Sequence, residues 1–263
     1  IFSRFDLAPF GSLIGNVITD VRGDATGSAT IRGLVTDPEV DGRLYLNDAG
    51  LKAPYLNVDY DFEKNAIVDI TEKEFLFRNI VITDTQFDTK GVLRGSVKHD
   101  KFSDWELDLE VRTNNLLALN TKDSEDAYYY GTAFLNGSAR ISGRIESLLV
   151  TVTGESEKGT SIKIPVRDAE DVGKKPYYTF IKEEDLRSNK NNSIGNNKYN
   201  GLELSLDFDI DTDAWIEVIL DRESGHSMKG NGYGSMRMEI NTLGKFLMYG
   251  DFQVQEGEYN FKK

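Results

Sequence analysis

The sequence predicts an all-β protein, and three observations carry the prediction. Apolar and polar residues alternate with a period of two along most of the chain, as they do where successive side chains serve opposite faces of a sheet. A 3.6-residue apolar repeat, the mark of an amphipathic helix, is nearly absent. Glycine is frequent, at 24 of 263 residues, and proline is scarce, at 5. Glycine suits the kinks and close approaches of a bent sheet, whereas proline is confined to strand edges and bulges.

In chain order, Val58, Tyr60 and Phe62 alternate with Asp59 and Asp61, and Phe75 and Phe77 follow in the next strand. "WELDLEV" sets Trp105, Leu107, Leu109 and Val111 against Glu106, Asp108 and Glu110. Ile162, Ile164 and Val166 repeat the rule. The clearest strand is "LELSLDFDID", with Leu202, Leu204, Leu206, Phe208 and Ile210 on one face and Glu203, Ser205, Asp207, Asp209 and Asp211 on the other. Met236, Met238 and Ile240 follow, then Phe246 and Met248. "GDFQVQEGEYNF" closes the series with Phe252, Val254, Tyr259 and Phe261.

The pairs Asp41-Gly42, Lys90-Gly91, Asn136-Gly137 and Lys158-Gly159 read as turns between strands. Roughly 16 to 20 short strands are expected on this spacing. A weak internal repeat joins "GDATGSATIRG" at Gly23, "YGTAFLNGSARISG" at Tyr130 and "GNGYGSMRMEI" at Gly230, and suits a sheet extended several strands at a time. Residues 1–263 read as a single segment interrupted by two polar loops, 121–128 and the Asn-rich 182–198. A short helix is expected over 179–186.

Composition excludes several functions. The net charge is −13, which repels the phosphates of nucleic acid and the headgroups of anionic membranes. Cysteine is absent, so thiol catalysis, disulfides and Cys-based zinc sites are ruled out. No run of about 20 apolar residues crosses a membrane as a helix. The opening "IFSRFDLAPF" lacks the features of a signal peptide and reads as the interior of a longer protein, with any anchor outside this chain.

The chemistry of catalysis is missing as well. His99, beside Asp100 and Asp104, reads as part of a solvated turn, and so does His226. No G-x-S-x-G, H-E-x-x-H or Walker pattern occurs. The acidic series Asp207, Asp209, Asp211, Asp213 reads as a solvated outer face, because carboxylates on alternate strand positions lie about 6.6 Å apart and diverge instead of closing on a cation. The expected protein is not an enzyme and takes no cofactor or metal.

One-sided strands need a cover for their apolar face. A β-sandwich, a soluble barrel, a membrane barrel and a curved trough each supply one. An empty trough would expose a large apolar surface to water, but an acyl chain would cover it at about 0.8 kcal/mol per CH2. The bulky, flexible inner set and the glycines favour the trough, although alternation alone leaves sandwich and trough open.

"GKFLMYGDFQVQEGEYNF" resembles the C-terminal region of the TamB family, within the AsmA-like superfamily. That family shows a strand, a glycine-led strand and then G-x-Y-x-F, matched here by Phe246–Tyr249, Gly250–Val254 and Gly257, Tyr259, Phe261. "GDATGSATIRG", "DGRLYLNDAGLKAPYLNVDYDF" and "TKGVLRGSVKHDKFSDWELDLEV" resemble the same region in Bacteroidota members. The resemblance implies a β-taco, an elongated, curved antiparallel sheet forming a U-shaped hydrophobic trough. It implies a periplasmic location in a protein anchored to the inner membrane by a segment outside this chain.

The partners so implied are phospholipid acyl chains and, through the C-terminal region, an Omp85-type outer-membrane barrel protein (TamA/TamL-like). The implied function is bridge-like phospholipid transport to the outer membrane. The alternative is a chaperone-like scaffold for outer-membrane protein assembly. If about 18 strands stack at 4.8 Å, the trough runs some 85 Å. Its expected lining is the apolar set named above, from Val58 to Val254, without Val166.

Overall fold

The computed structural model describes residues 1–11, 17–34, 37–101, 103–124, 127–166, 201–222, 224–241 and 245–261. Among them are fifteen strands in one sheet and a single four-residue helix, α1 (Ala8–Gly11). The strands are β1 (Phe2–Asp6), β2 (Thr19–Leu34), β3 (Asp37–Ala53), β4 (Val58–Phe62), β5 (Ala66–Ile70), β6 (Glu74–Asp84), β7 (Lys90–Asp100) and β8 (Ser103–Thr121). They continue with β9 (Tyr130–Arg144), β10 (Ser147–Ser156), β11 (Ser161–Pro165), β12 (Leu202–Ile210), β13 (Trp215–Asp221), β14 (His226–Asn241) and β15 (Phe246–Asn260). The predicted helix over 179–186 and the loop 182–198 fall outside the described residues.

Three pairs of strands lie end to end. β4 and β5 both pair with β3 and β6, β10 and β11 both pair with β9, and β12 and β13 both pair with β14. The fifteen strands therefore occupy 12 rows, and the outermost rows lie roughly 53 Å apart along the curved sheet at about 4.8 Å per step. That is shorter than the 85 Å expected from sequence, because the chain spends its residues on long strands. β8 runs for 19 residues and β3 for 17.

The long strands overturn three of the four expected turns. Gly42, Gly91 and Gly137 lie inside β3, β7 and β9, and only Lys158-Gly159 sits in a turn. Their role is close approach. A Cβ on Gly137 would lie 2.6 Å from the Cα of Gly154 on the neighbouring strand. Gly95, at φ +121, would put its Cβ against the carbonyl oxygen of Asp108. Backbones this close steepen the coiling of the sheet and curl it. The weak repeat maps onto β2, β9 and β14, all long and glycine-bearing.

The sheet is antiparallel except at one junction. β10 pairs with β12 in parallel, and so does β11 with β13. Parallel neighbours cannot be joined by a tight turn, so the chain has to return from one end of the row to the other. Residues 166–201, between β11 and β12, span that connection.

Candidate functional site

Direct cross-strand partners share a face of the sheet, so the register shows what each face carries. From β2 to β15, one rung reads Gly27, Leu44, Val68, Phe77, Gly95, Leu109, Ile141, Val150, Leu204, Ile240, Phe246. Every member is apolar or glycine. On one side of it runs Gly42, Ile70, Phe75, Val97, Leu107, Gly143, Leu148, Leu202. On the other runs Ile80, Leu93, Val111, Ala139, Val152, Leu206, Met238, Met248. These three rungs form an unbroken apolar band across the strands, and the polar inner-face residues His99 and Thr113 lie outside it.

The outer face is polar and laced with cross-strand ion pairs. Arg43 and Arg78 both reach Asp69, at 2.6 and 2.8 Å. Arg94 and Arg112 flank Glu110, Arg140 meets Asp108 at 2.8 Å, and Arg237 meets Asp207 at 2.6 Å. Such exposed pairs are individually weak, but they spread charge of both signs across the outer face. The arginine hydrogen bonds hold Asp69 and Glu110 below the ordinary carboxylate range. Asp207 and Asp209 lie on this face, whereas Asp211 turns to accept bonds from the Thr212 amide and hydroxyl. No group of three or more His, Cys, Asp or Glu suited to a metal occurs among the described residues.

The inner set divides by cover. Leu107, Leu202, Leu204, Met238 and Ile240 are buried in one cluster with Leu148, with Leu109, Leu206, Phe208, Met236 and Phe246 packed around it. Ile164 and Ile210 are buried in a second, beside Ile162 and Phe252. Val58 is buried with Leu117 and Phe134, with Tyr60 against them, and the Tyr60 hydroxyl donates to the Leu117 carbonyl at 2.7 Å. Phe62, Phe75 and Phe77 line a further cluster around Val68 and Ile80, and Val111 joins Leu93 and Ile82.

Trp105 lies at the margin, with ring contacts to Phe75 at 6.0 Å and His99 at 5.2 Å. Met248 and Val254 pair with inner-face residues Met238 and Gly232 but stand 41% and 55% exposed. They belong to β15, an edge strand whose one strand neighbour among the described residues is β14.

Both histidines depart from the sequence expectation. His99 lies inside β7 and is buried, not in a solvated turn, because it shares the inner phase with Val97. His226 opens β14 and stacks on Phe261 at 4.7 Å. Burial lowers the pKa of His99 below its usual value, against the opposing pull of Asp100. Between the folded-state value and the ordinary 6.5, the unfolded chain therefore binds a proton that the folded chain does not. Stability is full above that window and falls as pH drops through it. His99→Phe keeps a ring between Phe75 and Trp105, and should flatten the fall in urea midpoint between about pH 7.5 and 5.5. An unaltered fall would contradict this.

Sequence reading missed several lining residues. Leu148 and Val150 sit in "SLLVTV", where Leu149 blurs the alternation, yet Leu148 is 1% exposed and Leu149 is 40% exposed on the outer face. Ile141 is a lone apolar residue between Arg140 and Ser142. Tyr55 and Tyr129 lie outside any strand and still pack against the central cluster. Burial raises the phenol pKa of both, most for Tyr129.

The comparisons with known proteins agree with this architecture. The family model for the TamB C-terminal domain matches residues 81–263, which is more than half of the chain and covers most of the inner-face rungs. The likeness read in residues 23–62 precedes the match, although β1 to β5 continue the same sheet. No curated protein and no solved structure matches the chain. No helix among the described residues is long and apolar enough to cross a membrane. A curved sheet with one continuous apolar face, matched over β7 to β15 by this family model, identifies the chain as a member of the TamB family, which serves the translocation and assembly module of the outer membrane.

Proposed function

We propose that this chain is a non-enzymatic section of a periplasmic bridge that carries phospholipid to the outer membrane, with acyl chains seated on the inner face of the sheet and headgroups left in water. The observation that supports this most is the rung from Gly27 to Phe246, which crosses eleven rows without a polar side chain. A closed core needs only a compact apolar cluster. An apolar lane running perpendicular to the strands, over a length of roughly 50 Å, suits a long ligand that slides. Binding by non-directional burial demands no single residue and no reaction.

Membership of the family places the protein's work beside an outer-membrane partner. The partner in this reading is an Omp85-type barrel protein, and the anchor lies in the inner membrane beyond this chain. Native mass spectrometry of the purified chain, with lipid extraction, tests the reading. Co-purified phospholipid is expected, and a chain that stays lipid-free after incubation with phospholipid vesicles would overturn it. A second reading, a scaffold for outer-membrane protein assembly, draws support from the free edge of β15, where 15 residues of strand have one neighbour among the described residues. Such an edge receives a strand by main-chain hydrogen bonding. Capture of unfolded outer-membrane strands without lipid would favour it.

A further inference from the structure

The outer face changes character at the last strands. Over β3 to β9 its central carboxylates are answered by arginines, as at Asp69, Asp108 and Glu110. Over β13 to β15 large rings stand among the polar residues instead. Trp215, Tyr233 and Tyr249 are all exposed, the two tyrosines by 51% and 54%. The register puts them on the outer face, since Trp215 pairs with Asn231, Tyr233 with Gln253 and Tyr249 with Arg237. A single exposed ring is ordinary, but three on adjacent strands of a charged face mark a contact surface.

A rung of acid runs between the two tyrosines. Asp209, Ser235 and Asp251 are direct cross-strand partners, and the rung lies about 6.8 Å from Tyr233 along β14 and from Tyr249 along β15. Glu256 stands on the rung of Trp215 and Asn231. Asp209, Asp251 and Glu256 have no ion pair among the described residues. The nearby cations are already engaged. Arg237 holds Asp207 at 2.6 Å, and the Lys229 ammonium lies over the Trp215 ring, 4.8 Å from its centroid.

The Lys229 contact is a cation on an aromatic face, and it indicates what the remaining rings and carboxylates suit. A second copy of the chain would set acid against acid. A bilayer would strip water from three carboxylates without pairing them. A guanidinium answers both features at once, because its plane stacks on a ring while its fork of donors takes a carboxylate. We propose that the outer face of β12 to β15 is a docking surface for a protein that presents arginines, with guanidinium planes on Tyr233 and Tyr249 and donors on Asp209, Asp251 and Glu256. The surface lies on the opposite side of the sheet from the apolar lane, so it stands independently of the acyl-chain reading. A partner seated there leaves the inner face open.

Fluorescence anisotropy of a labelled peptide of alternating arginine and serine, titrated with the full chain, tests the surface. A lysine–serine peptide of equal length and charge is the comparison. The arginine peptide is expected to bind several-fold tighter than the lysine peptide. Asp251→Asn with Glu256→Gln should weaken it about tenfold, the effect of losing two exposed charge contacts. Tyr233→Leu keeps apolar bulk without a π face and should erase the preference for arginine. Glu39→Gln with Asp41→Asn removes the same charge from exposed positions on β3, and should change binding by less than about twofold. Equal weakening by the two charge-removing pairs, or equal affinity for the two peptides, would overturn the proposal. Binding of a chitin oligosaccharide that Tyr233→Leu abolishes, with no binding of the arginine peptide, would overturn it in favour of a sugar platform.

Discussion

Leu204→Asp is expected to cost more than about 4 kcal/mol of folding stability, the largest effect of any single inner-face change. Leu204 is 3% exposed and stands on the apolar rung between Val150 and Ile240. Truncating such a residue already forfeits its packing and leaves a cavity. A carboxylate there adds an unpaired charge, because every direct neighbour on its face is apolar. On the outer face next door, Glu203→Gln should stay within roughly 0.5 kcal/mol, as exposed substitutions do. Urea unfolding of both variants measures the contrast. Comparable losses would mean that the inner face is not the load-carrying core of the sheet.

The second large effect concerns ligand rather than fold. Phe208 lies on the inner face but is only partly covered, opposite Met236 and beside Gly154. Phe208→Asp gives up ring packing against two buried clusters, so its transfer is compared with that of the native chain at equal folded fraction. It should still cut transfer of a labelled phospholipid between vesicles by roughly tenfold or more, because an acyl chain passing it loses the burial of two or three CH2 groups at about 0.8 kcal/mol each. Asp209→Asn, on the opposite face of the same strand, should leave transfer unchanged. Equal transfer by the two variants would contradict sliding along the inner face.

The sequence carried the face assignment well wherever alternation was clean. In β12 the two ends of the strand follow the pattern read from "LELSLDFDI", with Leu202, Leu204 and Ile210 buried and Glu203 and Asp209 exposed, while residues 205–208 are half-buried on both faces. It carried less where local signals compete with long-range pairing. Asn136-Gly137 has the chemistry of a hairpin turn, but β8 and β10 pair on either side of it and hold it extended. His99 next to Asp100 looks solvated until the rings of Phe75 and Trp105, brought by β6 and β8, close over it.

The curl itself was legible only as an excess of glycine. Which glycines approach which backbones depends on register, and register belongs to pairs of strands rather than to single segments. The parallel junction was hidden for the same reason, since nothing within β10 or β12 states which neighbour it will choose. Tyr128 and Tyr129 sit in a run of three tyrosines between a polar loop and a strand, and only the closure of the sheet brings them to Phe246.

The most direct test of an acyl-chain lane on the inner face is photocrosslinking from adjacent positions in β12. Benzoylphenylalanine replaces Phe208 in one sample and Asp207 in another, where Asp207 faces outward and pairs with Arg237. After incubation with phospholipid vesicles, phospholipid adducts are expected from position 208 and none from position 207. Adducts of equal yield from both positions, or from neither, would contradict it.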